Sequence, residues 1–142
     1  MRTVRQMLDG KAPLVSISSS ATVFDALASM ARHDVGALIV IDDGRLSGVF
    51  SERDYARKVI LHGKASKDLA VAEIMTPHVV CVGLDDSIEA CMTRMTDNRV
   101  RHLPVVDAAG AVAGVVSIGD VVKALLHEQQ FVITQLERYI TA

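Results

Sequence analysis

Two short phrases in this chain carry residue types from which a polar site can be built. Gly48-Val-Phe-Ser51-Glu-Arg-Asp54 and Gly114-Val-Val-Ser117-Ile-Gly-Asp120 each lead from an apolar strand pattern into a helix pattern through Ser-x-x-Asp. One reading is structural: the serine hydroxyl caps a new helix while the acid reaches back, as in a capping box. The other adds a ligand. Where a strand turns directly into a helix, unpaired backbone N–H groups and the positive end of the helix dipole offer a seat for phosphate. An ionised carboxylate is acceptor-only and suits the paired hydroxyls of a ribose. The glycine lets backbone and ligand approach closely. On the residues alone both readings stay open.

A third feature lies at Asn98-Arg99-Val-Arg101-His102, which sets three potential cations just before the apolar run Leu103-Pro104-Val-Val. A solvated loop accounts for them. So does a phosphate clamp, since guanidinium binds phosphate oxygens bidentately. No Walker loop, G-x-G-x-x-G fingerprint, H-E-x-x-H or G-x-S-x-G is present. His33, His62, His78, His102 and His127 have no metal-ligand spacing, and no Ser, Cys or Lys sits in a nucleophile context. The expectation is binding rather than catalysis: not an enzyme, with no catalytic residue and no metal.

The elements that must position these residues occur twice. Val15 to His62 and Val80 to Glu128 line up, with one extra residue in the second copy's turn; Met30 matches Met95, Leu38 matches Leu103 and Asp42 matches Asp107. Each copy reads strand, helix, strand, strand, helix. In the first, Val15 to Ile17 is a short strand and Ser20 a candidate cap for a helix from Thr22 to about His33. Ala37 to Ile41 and Arg45 to Phe50 pair across Asp42-Asp43-Gly44, and Ser51 opens a helix ending near His62-Gly63. In the second, Val80 to Val82 is a strand, and Asp85 or Asp86 caps a helix from Ser87 to about Asp97. Leu103 to Val106 and Ala111 to Val116 pair across Asp107-Ala-Ala-Gly110, and a closing helix begins near Gly119. Val4 to Leu8 and Val71 to Met75 are short helical pieces ahead of each copy. The division is 1–66 for the first unit with its leading segment, 67–128 for the second, and 129–142 for a helical extension.

Half of the 142 residues are hydrophobic and 4% are aromatic, so the core is built from Val, Leu, Ile, Ala and Met. The net charge of −2 gives no electrostatic reason to expect nucleic acid or an anionic membrane. Cys81 and Cys91 have no C-x-x-C spacing and read as small core residues in a reducing compartment. Met1-Arg-Thr-Val-Arg-Gln has no signal-peptide core and no run reaches membrane-span length, so the expected location is cytoplasmic.

Together, the two units, the twin Gly-x-x-Ser phrases, Arg-His-Leu-Pro-Val-Val-Asp, Ser-Glu-Arg-Asp-Tyr and Glu-Ile-Met-Thr-Pro resemble a tandem CBS-domain pair, the Bateman module, of the stand-alone signal-transduction type. The resemblance runs from Val4 to about Glu128. It implies an α/β (α+β) fold: two pseudo-symmetric β-α-β-β-α units packed sheet to sheet, with a C-terminal helical extension. It also implies a sensor for adenosine nucleotides such as AMP, ADP, ATP, NAD or S-adenosylmethionine, with clefts between the units. By that resemblance Asp54 and Asp120 hold ribose hydroxyls, and Ser51 and Ser117 contact ribose or phosphate. Ile17 and Val82 flank adenine, while backbone groups of Ser16 and Cys81 read its edge. Arg101 and His102 grip phosphate with help from Arg53, and Pro104 belongs to the same ligand-binding set. The family's habit of pairing implies a homodimer.

The copies depart from symmetry. Where the second has Arg101-His102 the first has Gly36-Ala37, and where the first has Glu52-Arg53 the second has Ile118-Gly119. One well-equipped mononucleotide site is therefore expected, beside a weaker, empty or roomier one that admits a dinucleotide such as NAD. The last helix continues an apolar stripe through Val122, Leu125, Leu126, Val132, Leu136 and Tyr139, which either folds back on its own lobe or covers a dimer partner. With no further domain after the second unit, the regulated partner is expected to be a separate, unidentified protein. The function expected is a regulatory module sensing energy or redox state; the rival is a ligand-free dimeric interaction scaffold.

Overall fold

The computed structural model describes residues 2–141. Its elements alternate as expected: α1 (Val4–Leu8), β1 (Ser16–Ile17), α2 (Val23–His33), β2 (Ala37–Asp42), β3 (Arg45–Ser51), α3 (Glu52–Lys58), α4 (Val71–Ile74), β4 (Val82–Gly83), α5 (Ile88–Asn98), β5 (His102–Val106), β6 (Val112–Ser117) and α6 (Ile118–Thr141). Two three-stranded sheets form, ordered β1-β2-β3 and β4-β5-β6. In each the short first strand runs parallel to the central one, with Ser16 beside Ile39 and Val82 beside Val105. No helix among the described residues is long and apolar enough to cross a membrane.

The apolar run Ala37–Asp42 is the middle strand of its sheet, and Leu38 and Val40 are fully buried. Asp42 pairs with Arg45, leaving Asp43 (φ 51°) and Gly44 (φ 76°) as a two-residue turn. Positive φ at both central positions matches the right-handed twist of the strands it joins. The Asp42 carboxylate accepts from Ser47 Oγ at 2.5 Å, from Ser19 N at 3.1 Å and from Ser18 Oγ at 3.1 Å, tying the end of β1 to the hairpin. The Ser47 hydrogen bond, followed by those of Ser19, holds this carboxyl down at about 2.

Two helix caps differ from expectation, for the same reason. Thr22, not Ser20, caps α2, its hydroxyl accepting from Asp25 N at 3.1 Å, while the Ser20 hydroxyl is engaged with Ser18. Ser87, not Asp85 or Asp86, caps α5, accepting from Ala90 N at 3.1 Å. Asp86 instead accepts from Gly83 N and Arg94 Nη1, which hold its carboxyl below the ordinary range. In both helices the residue immediately before the first helical turn wins the cap, because only there does a side-chain oxygen reach the N3 amide. The second α-helix of the first copy is also shorter than the pattern suggests: α3 stops at Lys58 and a 3₁₀ turn, Ile60–His62, completes it.

The leading helices pack in an exchanged manner. One compact unit comprises the segment up to Ala12, Val80–Val106 and the chain from Ala113; the other comprises Pro13–Val79 and Asp107–Val112. These second-copy and first-copy units differ from the sequence division at residue 66 in that α1 belongs with the second copy and α4 with the first. In the second-copy unit Val4 and Met7 join Val82, Ile88, Cys91, Met95, Leu103, Val105 and Val116 in one core. Val4 N and Arg5 N donate to Asp86 O and Leu84 O, each at 2.8 Å. In the first-copy unit Val71 and Ile74 join Val23, Ala26, Met30, Leu38, Val40, Phe50 and Val59. The Val23 and Val71 amides donate to Leu69 O at 2.9 Å and Ala21 O at 2.8 Å.

Each motif glycine makes room at the C-terminal end of the borrowed helix, Gly48 for the residues just after α4 and Gly114 for the last residue of α1. A Cβ on Gly48 would lie 2.6 Å from the Thr76 carbonyl oxygen, whereas one on Gly114 would meet only the Leu8 side chain, at 3.0 Å. Gly48→Ala should therefore destabilise by about 1–3 kcal/mol through overpacking against main chain. Gly114→Ala should cost less, because Leu8 can turn aside; equal urea midpoints for the two variants would contradict this. Asp42 gives a second test. Its folded value lies below the roughly 3.9 of an unfolded aspartate, so its stabilisation is complete above that value and is lost as pH falls towards about 2. Asp42→Asn should flatten the acid limb of stability between about pH 4 and pH 2, measured by denaturation across that range.

Candidate functional site

Each Ser-x-x-Asp phrase sits where a strand becomes a helix, β3 into α3 and β6 into α6, and each forms a capping box. Ser51 Oγ accepts from Asp54 N at 3.2 Å, while Asp54 Oδ2 accepts from Ser51 N and Ser51 Oγ, both at 3.0 Å. Ser117 Oγ accepts from Asp120 N at 3.2 Å, and Asp120 Oδ2 accepts from Ser117 N at 2.8 Å and Ser117 Oγ at 3.0 Å. One further main-chain bond is repeated: Glu52 N donates to Gly36 O at 3.0 Å, and Ile118 N to Arg101 O at 2.9 Å. The second bond fixes Arg101 and His102 beside the first turn of α6.

Beyond the cap the two carboxylates part company. Asp54 Oδ1 accepts from Thr76 Oγ1 at 3.1 Å and pairs with Lys58 Nζ at 3.0 Å. Both of its oxygens are engaged and the residue is 8% exposed. Asp120 Oδ2 takes Lys11 Nζ at 2.5 Å, its side chain is 23% exposed, and among the described residues no hydrogen bond reaches Oδ1. Burial pushes the Asp120 carboxyl up, but the bonds from Lys11 and Ser117 outweigh it and leave it below the ordinary range. His102, by contrast, is pushed down by burial and then by the nearby charges of Lys11 and Arg101, against the opposing pull of Asp120. A cleft of about 190 Å³ opens beside Asp120, lined also by Arg2, Asp9, Lys11, Lys123 and His127. Among the described residues no group of three or more His, Cys, Asp or Glu side chains is arranged to hold a metal.

A family model described as the CBS domain matches residues 4–61 and again 71–127. The chain belongs to the CBS-domain family. It is 44% identical over 124 residues, 84% of its length, to "CBS domain-containing protein CBSX3, mitochondrial" of Arabidopsis thaliana, and it spans 60% of that protein. Among solved structures, a CBS-domain protein from Burkholderia ambifaria is 42% identical, with a TM-score of 0.83 over 90% of this chain and 96% of that one. CBSX2, solved in complex with AMP, is 31% identical, with a TM-score of 0.76 over 91% and 99% of the two chains.

In this CBS pair the residues singled out from the sequence are not equally placed. In the second-copy unit Ser117, Asp120 and His102 lie together, and Arg101 is exposed at the same helix start. Pro104 is buried within β5, and Val82 is 1% exposed, its side chain in the core. The Cys81 carbonyl accepts from Arg94 Nη1 at 3.1 Å. In the first-copy unit Ser51 and Asp54 lie together, Arg53 is exposed on α3, and Ser16 and Ile17 pair with β2. Arg99, counted among the three loop cations, is the left-handed C-cap of α5, at φ 53°.

Sequence reasoning missed the partners of both carboxylates. Lys58 was legible, four residues after Asp54 on one helix. Lys123 and His127 follow Asp120 at three and seven residues on α6, which also brings them to one face. Thr76 stood in the Glu-Ile-Met-Thr-Pro phrase without being linked to Asp54, and Lys11 carried no signal; both lie outside the aligned repeats and reach their carboxylates through the exchanged leading segments. The contrast between the carboxylates yields a test. Asp54→Ala keeps the Ser51 cap but removes the carboxylate that answers Ser51 N, Thr76 and Lys58, so it should cost about 2–4 kcal/mol. Asp120→Ala removes the bonds to Ser117 N and Lys11 but orphans no threonine hydroxyl, so it should cost less, about 0.5–2 kcal/mol. Urea denaturation of the ligand-free proteins measures both, and the order Asp120 above Asp54 would refute the assignment.

Proposed function

We propose that this chain is a regulatory module that binds an adenine nucleotide of the AMP type at Asp120 and reports it to a separate protein. The observation that carries the reading is the Asp120 carboxylate, fixed through Oδ2 by the α6 cap while no hydrogen bond among the described residues reaches Oδ1, beside a cleft lined by Arg2, Lys11 and Lys123 as well as Asp9. An open carboxylate oxygen accepts a ribose hydroxyl, and the first turn of a 24-residue helix favours phosphate. His102 and Arg101 stand at that same helix start. The complex of the related CBSX2 with AMP supports the ligand class.

The first-copy site is the weaker of the two in this reading. Ribose binding at Asp54 has to displace Thr76 or Lys58, and no counterpart of Arg101-His102 stands at Gly36-Ala37. Here the scaffold interpretation has its own support, since Asp54 already serves fully as a cap and a bridge. Energy or redox sensing follows if AMP competes with ATP or NAD for one site. Signalling requires that the ligand favour one of two conformations, because equal affinity for both shifts nothing. Homodimerisation is part of the proposal. Along α6 the side chains of Phe131, Val132, Ile133, Leu136, Tyr139 and Ile140 are all exposed, and a second copy would cover them.

A thermal-shift panel on nucleotide-stripped protein tests the reading, with AMP, ADP, ATP, NAD, S-adenosylmethionine and GMP. A ligand at one hundred times its dissociation constant adds about 2.7 kcal/mol, so adenine ligands should raise the midpoint and GMP should not. Calorimetric titration should give one tight AMP per chain, abolished by Asp120→Ala and retained in Asp54→Asn. Two equal tight sites, or no response to any adenine ligand, would reject it.

A further inference from the structure

We propose that Lys11 is the phosphate-reading residue of the Asp120 site, and that the cleft beside it takes the monophosphate end of the ligand. The proposal rests on the nucleotide reading above and adds a specificity determinant that lies outside both repeat motifs.

Lys11 is held at two points. Its ammonium donates to the Val115 carbonyl at 2.8 Å and to Asp120 Oδ2 at 2.5 Å. In the first-copy unit one neutral residue serves the matching carbonyl and the motif carboxylate, there through its other oxygen: Thr76 N donates to Val49 O at 2.9 Å and Thr76 Oγ1 to Asp54 Oδ1 at 3.1 Å. Val49 and Val115 each follow the motif glycine, so the same structural need is answered twice, once by a threonine and once by a lysine. The threonine spends both of its donors there. An ammonium has three, so Lys11 meets the same need and keeps one N–H for a further acceptor. Shape alone does not require a charge at this position, as Thr76 demonstrates.

The surroundings identify that acceptor. Among the lysine, arginine and aspartate side chains that line the cleft, Arg2, Lys11 and Lys123 outnumber Asp9 and Asp120 by one positive charge. That excess suits a single phosphate group rather than a polyphosphate chain. The volume agrees. At about 190 Å³ the cleft is smaller than the roughly 300–1,000 Å³ that encloses a whole drug-sized ligand, so it receives one polar end. With Lys11 anchored on Asp120, the group that reads phosphate and the group that reads ribose are held at a fixed separation before any ligand arrives.

Titration of the whole chain with adenosine and with AMP tests this. The wild type should bind AMP more tightly than adenosine. Lys11→Met should weaken AMP about ten- to hundredfold, the worth of one charge-assisted hydrogen bond, and leave adenosine within about twofold. Lys11→Arg, which keeps the charge, should retain the preference for AMP. Unchanged adenosine binding also shows that the Met variant is folded. Unaltered AMP affinity in Lys11→Met, or equal losses for AMP and adenosine, would overturn the role of Lys11 while leaving the nucleotide site standing. A wild type that binds neither ligand would overturn the nucleotide reading, and this proposal with it.

Discussion

The architecture turns on how a helix can begin where a strand ends. The first amides of α3 and α6 have no partner within their helices, and the Ser-x-x-Asp box supplies one for each. In doing so it pins a carboxylate at the positive end of a helix with two of its lone pairs already committed. What the remaining oxygen does then decides the character of the site. At Asp54 it is claimed by a threonine and a lysine, and the result is a joint. At Asp120 no hydrogen bond among the described residues reaches it, and it is the oxygen to which the proposed reading assigns a ribose hydroxyl. A single local solution to helix initiation thus yields a structural element in one copy and a candidate binding element in the other.

The exchanged leading helices explain how two near-identical motifs diverge so far. Each carboxylate draws its outer partner from the segment after a borrowed helix: Thr76 after α4, Lys11 after α1. These segments are not constrained by the strand–helix repeat, so they change without disturbing the cap. The motif glycines allow it. Gly48 admits the main chain of Thr76 directly against β3, whereas Gly114 admits the Leu8 side chain.

Much of this was legible in the sequence, because periodicity and duplication reinforce one another. The strand runs at Leu38 and Leu103, the turn at Asp43-Gly44 and the two Ser-x-x-Asp starts all follow from local pattern. Cap positions were less so: Ser20 and Asp86 are as well suited chemically as Thr22 and Ser87, and only the distance to the N3 amide separates them. The site was half legible. Ser117, Asp120 and His102 converge as their motif suggests, but the features that distinguish Asp120 from Asp54 come from residues remote in sequence.

The exchange also orders events in time. Residues 13–79 form a nearly self-contained unit, whose core residues all lie within one stretch of chain. The other unit joins the segment up to Ala12 to β4, α5, β5, β6 and α6, closing a long loop around everything between. During synthesis, then, α1 is made before the second-copy elements with which it shares a core. The entropy of closing that loop grows only slowly with its length, but contacts so distant in sequence form late. The Lys11–Asp120 pair spans 109 residues, so the second unit is complete only once both ends of that stretch have been made.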